Sequence, residues 1–162
     1  APVFDPVVKK SINNLVVHPE SDKTVHLNFK VKNAKTREDL EAKMIDLVNQ
    51  ERIKQGLNTL KADPSLVLVG REHSKDMFAR GYFSHYSLEG KTVSDRLRNA
   101  NIRFLVAGEN LALAQTLTIA HNGLMESPGH RANILQPKYG RVGIGILDGG
   151  IYGLMITQVF RN

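Results

Sequence analysis

Two histidines, a glutamate and a serine carry the chemistry this sequence offers. His85 ends Tyr82-Phe83-Ser84-His85, and Glu109 lies in Gly108-Glu109-Asn110. Ser127 and His130 share Ser127-Pro128-Gly129-His130-Arg131. Each segment is punctuated by Gly, Ser or Pro and stands beside a predicted helix end, where folded chains tend to expose functional groups. Converged, the three make a polar cleft. Two neutral imidazoles and a carboxylate around an open position suit Zn²⁺ or another divalent metal, with His85 and His130 as the metal ligands. In a metal-assisted hydrolase, the metal would lower the pKa of a bound water and Glu109 would be the general base. Ser127, His130 and Glu109 also form a nucleophile, base and orienting acid on paper. The separations along the chain are long, 24 residues from His85 to Glu109 and 21 from Glu109 to His130. No local helix spacing fixes the geometry. The bland alternative is that both histidines hydrogen-bond Glu109 and knit loops together. For Ser127, before Pro128, the bland reading is an N-cap whose hydroxyl satisfies helix amides. No G-x-S-x-G elbow is present. His130, at the start of a short helix, is expected to have a lowered pKa.

These segments need elements to hold them. Thr36-Arg37-Glu38-Asp39 resembles a capping box, and Leu40, Met44, Leu47 and Val48 follow at helical spacing. Asp63-Pro64 is an N-cap and first-turn proline. Leu66, Val69, His73 and Met77 give that second helix an apolar stripe ended by Gly81, so His73 reads as a hydrogen-bonded core residue. Thr92 and Asp95 cap a third helix to Ala100, Ile102–Val106 reads as a strand, and Thr116–Glu126 as a fourth helix. Asn133 reads as structural and His121 as exposed, and the sequence identifies no pairing for His18 and His26. Val142, Ile144 and Ile146 alternate with Gly143 and Gly145; Asp148-Gly149-Gly150 turns the chain into a last strand, Ile151 to Phe160. Helices and strands outside regular βαβ order imply an α+β domain, three layers around an antiparallel sheet.

Residues 1–35 differ. Leu15–Val17 and Val25–Val31 read as strands joined by turn chemistry at His18–Lys23, a β hairpin or ribbon prefixed to the main domain at 36–162. Alone it would be marginal, so it must pack on the body or on a partner. The alternating Val25–Val31 segment suggests an edge for strand addition, as in a structural module of an envelope or spore surface.

Composition narrows the class. The chain has 162 residues, 41% hydrophobic and 23% charged, with no cysteine and a net charge of +6. That is one ordinary domain with no disulfide scaffold, thiolate zinc site or cysteine nucleophile. No run approaches the roughly 20 apolar residues of a membrane helix. The start at Ala1-Pro2-Val3 has no signal-peptide pattern, and the reading is of an export leader absent from this sequence. Basic residues are scattered, with loose groups at Lys9-Lys10, Lys30/Lys32/Lys35 and Arg96/Arg98/Arg103. No aromatic interleaving marks a nucleic-acid surface. A mild preference for anionic surroundings is expected, with no specific nucleic acid among the partners.

Six segments together resemble the CAP/SCP superfamily (cysteine-rich secretory proteins, antigen 5, pathogenesis-related-1), in its cysteine-free bacterial branch. They are Asn49-Gln50-Glu51-Arg52, His73–Met77, Tyr82–His85, Gly108–Asn110, Ser127–Arg131 and Gly143–Gly145, in order over residues 36–162. The resemblance implies an α-β-α sandwich, a secreted or envelope-associated protein, and a cleft of two histidines and two acids. By motif these are His85, His130 and Glu109. The second acid is expected three residues after a position held here by Leu124, which is Ser127 and not a carboxylate. Glu126 is adjacent but turned about 100° along the helix. The resemblance points to a non-catalytic binding domain with a small-molecule, lipid, sterol or surface-polymer ligand.

Overall fold

The structure, a computed structural model, describes residues 14–18 and 21–162. Lys9-Lys10 and the middle of the 18–23 turn lie outside them. The strands are β1 (Asn14–Val17), β2 (Val25–His26), β3 (Lys35–Thr36), β4 (Lys61–Ala62), β5 (Tyr82–Phe83), β6 (Ala107–Ala114), β7 (Arg141–Asp148) and β8 (Leu154–Arg161). The helices are α1 (Glu38–Lys54), α2 (Pro64–Arg80), α3 (Val93–Asn99), α4 (Leu117–Glu126) and α5 (Pro128–Ile134). The main sheet runs β1-β6-β8-β7-β3, antiparallel throughout, with β4 added in parallel to β7.

Period-2 alternation assigns the two faces. Ala112, Ala114, Val142, Ile144, Ile146, Ile156 and Phe160 meet Met44 and Val48 of α1, Ala120 and Leu124 of α4, and Ile134 of α5. Leu111, Leu113, Leu147 and Met155 meet Met77 and Phe78 of α2, and Val159 meets Leu66, Val69 and Leu97. The three-layer α-β-α sandwich expected from the sequence is the observed fold.

The glycines alternating along β7 turn toward α2 and let it lie on the strand's backbone. A Cβ on Gly145 would stand 2.1 Å from the Arg71 amide nitrogen, and one on Gly143 2.3 Å from Val67 N. Neither neighbour is a flexible side-chain end. Gly145→Ala is therefore expected to lower stability by more than about 2 kcal/mol through overpacking. A urea midpoint equal to that of the parent chain would refute this close approach.

Helix signals held at Asp63, which accepts from Ser65 N, and at Gly81, left-handed at φ 70°. They held also at Thr92 and Asp95, which form a complete capping box, and at Thr116. The start of α1 differs. Its N-cap is Arg37 without a side-chain cap bond, because β7 recruits Lys35–Thr36 as a strand. Ile102–Val106 is not a strand. Leu105 is 89% exposed, and its amide and that of Val106 bond the Asn162 side chain. The final strand starts at Leu154, after a short 3₁₀ turn at Gly150–Tyr152.

The two N-terminal strands are present but do not pair with each other. β1 joins the main sheet on β6, Val17 opposite Leu111, while β2 pairs with β5. The alternation at 25–31 has another cause than a long strand. Leu27 N donates to Gly81 O and Val31 N to Phe78 O, so this stretch satisfies carbonyls at the C-terminal end of α2. Leu27, Phe29 and Val31 pack there with Met77 and Phe78.

Candidate functional site

Glu109 and Asn110 are neighbours on β6, so their side chains leave opposite faces of the sheet. Glu109 points to the α2–α3 side. His85 Nδ1 stands 2.9 Å from its Oε1, Arg96 Nη1 2.6 Å from Oε2, and Arg96 Nη2 3.1 Å from Oε1. Asn110 points to the α5 side. Its Nδ2 donates to the His130 carbonyl and to Gln158 Oε1, both at 3.0 Å. Asn133 Nδ2 donates to Asn110 Oδ1 at 3.0 Å and to the Glu109 carbonyl at 3.2 Å. One dipeptide thus positions both histidine segments.

The loop carrying His85 is pinned from several sides. His73 Nε2 donates to the Ser84 carbonyl at 2.8 Å, Ser84 Oγ accepts from the Tyr86 amide at 3.0 Å, and Arg96 Nη2 donates to the His85 carbonyl at 2.8 Å. Tyr82 and Phe83 are fully buried beneath it. The hollow beside His85 and Glu109 is about 300 Å³, and Ser21, Tyr86, Asn133 and Tyr139 also line it.

The imidazoles have definite partners. His85 Nε2 stands 2.8 Å from the His18 carbonyl. A carbonyl cannot donate, so Nε2 donates to it. His130 Nε2 meets the Val17 carbonyl, and Nδ1 stands 2.7 Å from Ser127 Oγ. A carbonyl cannot donate, so Nε2 carries the proton and Nδ1 accepts from the Ser127 hydroxyl. Burial first, then the nearby His18 and His85, push the His130 pKa down to about 3. The direction is the one expected from sequence, with burial as the leading cause. For Glu109, burial alone pushes the pKa up. The Arg96 guanidinium and the His85 hydrogen bond more than reverse this and hold the carboxyl well below its ordinary range.

Sequence-predicted residues therefore divide. His85 and Glu109 are in contact, and His130 joins them through the carbonyls of Val17 and His18. Ser127 supplies no cap bond to α5; its hydroxyl is held by His130 instead. Glu109 does not stand behind His130 as an orienting acid, because Val17 takes that position. Glu126 is exposed and lines a separate hollow with Val16, Ile119 and Asn122. His73 is the buried, bonded residue expected. His121 is not exposed: it is 5% accessible and bonds Glu51 Oε2 at 2.9 Å. His18 has a neighbour the sequence did not identify. Its ring meets the His130 ring edge-on, centroids 5.7 Å apart. Asn49, Glu51 and Arg52 serve the fold, Arg52 donating to the carbonyls of Asn58, Ile134 and Gln136. Asp148-Gly149-Gly150 is a turn, as read.

Arg96 is the site residue the sequence reading missed. No local signal marked it: Arg96 lies in the last turn of α3, where a cation already suits the helix dipole, so its sequence position alone called for no carboxylate partner.

Residues 45–160 match the CAP family, the Cysteine-rich secretory protein family. This chain belongs to it. Bacillus subtilis YkwD is 38% identical over 111 residues, covering 68% of this chain and 43% of that protein. The membrane protein YlbC of the same organism is 36% identical over 107 residues, 65% of this chain and 31% of its own length. An extracellular SCP-domain protein from Bacillus anthracis superposes with TM-score 0.67 at 33% identity, over 76% of this chain and 40% of that one. An outer surface protein of Borrelia burgdorferi shares the fold, TM-score 0.72 at 19% identity, over 80% of this chain and 98% of the other. The chain thus spans less than half of the Bacillus relatives it matches. Among the described residues no helix is long and apolar enough to cross a membrane.

The metal expected of His85 and His130 can be tested on the donor set. Both nitrogens of His85, both of His130 and both oxygens of Glu109 are already engaged. Among the described residues no group of three or more His, Asp or Glu side chains is arranged around a metal position. In this arrangement the residues do not fit a metal ion.

Proposed function

We propose that this CAP domain is a non-catalytic, extracellular or envelope-associated binding domain whose cleft recognises polar ligand groups by donating hydrogen bonds. The observation carrying this is the state of every basic group in the cleft. Glu109 is saturated by Arg96 and His85, which removes the general base of a metal-assisted hydrolase. His130 accepts from Ser127, but a pKa pushed down to about 3 makes it a poor base at neutral pH, and a main-chain carbonyl, that of Val17, stands behind it. What remains is donation: the N–H groups of His85 and His130, both turned on carbonyl oxygens. The extracellular SCP-domain protein of Bacillus anthracis, 33% identical, supports the location. The ligand belongs to the polar-headed class the resemblance suggests: a small molecule, or a lipid, sterol or surface-polymer group.

The expected result is no turnover of peptide, ester or nucleic-acid substrates above that of the His85→Ala/His130→Ala double variant. Calorimetry with Zn²⁺ should show no binding tighter than about 1 mM. Metal-dependent turnover that disappears in the double variant would replace this reading with the hydrolase.

A further inference from the structure

We propose that the edge of β6, flanked by the His85 and His130 N–H groups, is a docking groove for an extended polypeptide strand, and that residues 14–18 are its intrachain, displaceable occupant. This rests on the reading of the cleft as a hydrogen-bond-donating site.

β1 lies outside the family match, which begins at residue 45, and β6 is the edge of the sheet without it. The strand is four residues long, and its register on β6 ends at Val17 opposite Leu111. Beyond that point the β6 backbone at Gly108–Asn110 pairs only with β8 among the described strands. There the two histidines take over. His130 takes the Val17 carbonyl and His85 the next one, at His18. Ladder bonds and imidazole bonds alike go to main chain. Nothing in them depends on the strand's sequence, which is the hallmark of strand addition.

Side chains contribute the selectivity. Val17 is buried, and Leu15 packs with it beside Met77 and Phe83. Val16 faces α4, 3.5 Å from where a Cβ on Gly123 would stand. The His18 ring lies over Gly129, where a Cβ would stand 2.0 Å from its Nε2. The fit is incomplete at Val16. A hollow lined by Val16, Ala114, Ile119, Ala120 and Gly123, and also by the polar Asn122 and Glu126, lies beside that side chain. A strand with a larger apolar residue there fills space the chain's own strand leaves. The trans ligand is therefore an extended peptide with three consecutive apolar residues, the middle one larger than valine.

The probe is a labelled synthetic peptide of residues 13–22 carrying Val16→Leu, added to the full chain. Saturable binding is expected, at least tenfold tighter to a full chain carrying Val17→Asp, whose own strand is weakened. Adding His130→Ala to that variant should weaken peptide binding at least fivefold. No binding to a Val17→Asp chain that still unfolds cooperatively overturns the proposal. Should that variant not fold, amide exchange in the unaltered chain decides. The β1 amides should exchange at least 100-fold faster than those of β8, and faster still with peptide, while β6 stays protected. Equal, peptide-insensitive rates in β1 and β8 overturn it. Zinc binding or turnover would instead overturn the binding reading of the cleft, so the two failures are separable.

Discussion

Replacing Arg96 by leucine is expected to cost about 3–5 kcal/mol of stability, the usual penalty for removing one partner of a buried ion pair. Glu109 is 3% exposed, and Arg96 contacts both of its oxygens. Without the guanidinium, the carboxylate keeps only His85 against its desolvation. The same change frees the His85 carbonyl and loosens the loop that carries that ring. Urea denaturation measures the loss. The Arg96→Leu/Glu109→Gln double variant should recover more than half of it, because the stranded charge is then gone. A single-variant loss under about 1 kcal/mol would show that the pair is solvated and that the cleft is not organised around Glu109.

Acidification should destabilise the chain before any ordinary carboxylate titrates. His73 is 2% exposed, and burial pushes its pKa down to about 4, from an ordinary 6.5. The folded pKa lies below the unfolded one, so the unfolded chain binds the proton first. Stability is therefore fully present above pH 6.5 and falls as pH drops toward 4. For His73 alone the loss between pH 8 and 4.5 is about 2–3 kcal/mol. His130, pushed down to about 3, adds in the same direction over the same window. Carboxylates held low by partners, Glu109 among them, add their own loss only at lower pH. Urea midpoints at pH 7.5, 6.0 and 4.5 check the trend, and His73→Gln should flatten it by about one proton. A midpoint unchanged from pH 7.5 to 4.5 would mean that water reaches His73.

Much of this was legible in the chain itself. Helix ends were written locally, in Asp63-Pro64, Thr92 with Asp95, Thr116 and Gly81, because caps act within four residues. The glycine alternation along β7 was visible, though not its purpose. His73 was readable as core because its place in the α2 stripe is a helical periodicity. His121 was misread on the same kind of helix because its burial depends on Glu51, 70 residues away.

The site divides along the same line. Order and spacing of six segments named the family, and with it the residues His85, Glu109 and His130, because residue types at fixed places survive in a one-dimensional string. Their protonation and partners do not. Arg96 meets Glu109 only because α3 packs beside β6, and the carbonyls of Val17 and His18 reach the imidazoles only because β1 is the edge strand of the sheet. A main-chain carbonyl is identical at every position of a sequence, so nothing in the residue letters could say which two would stand over the histidines. Tertiary packing alone decided that.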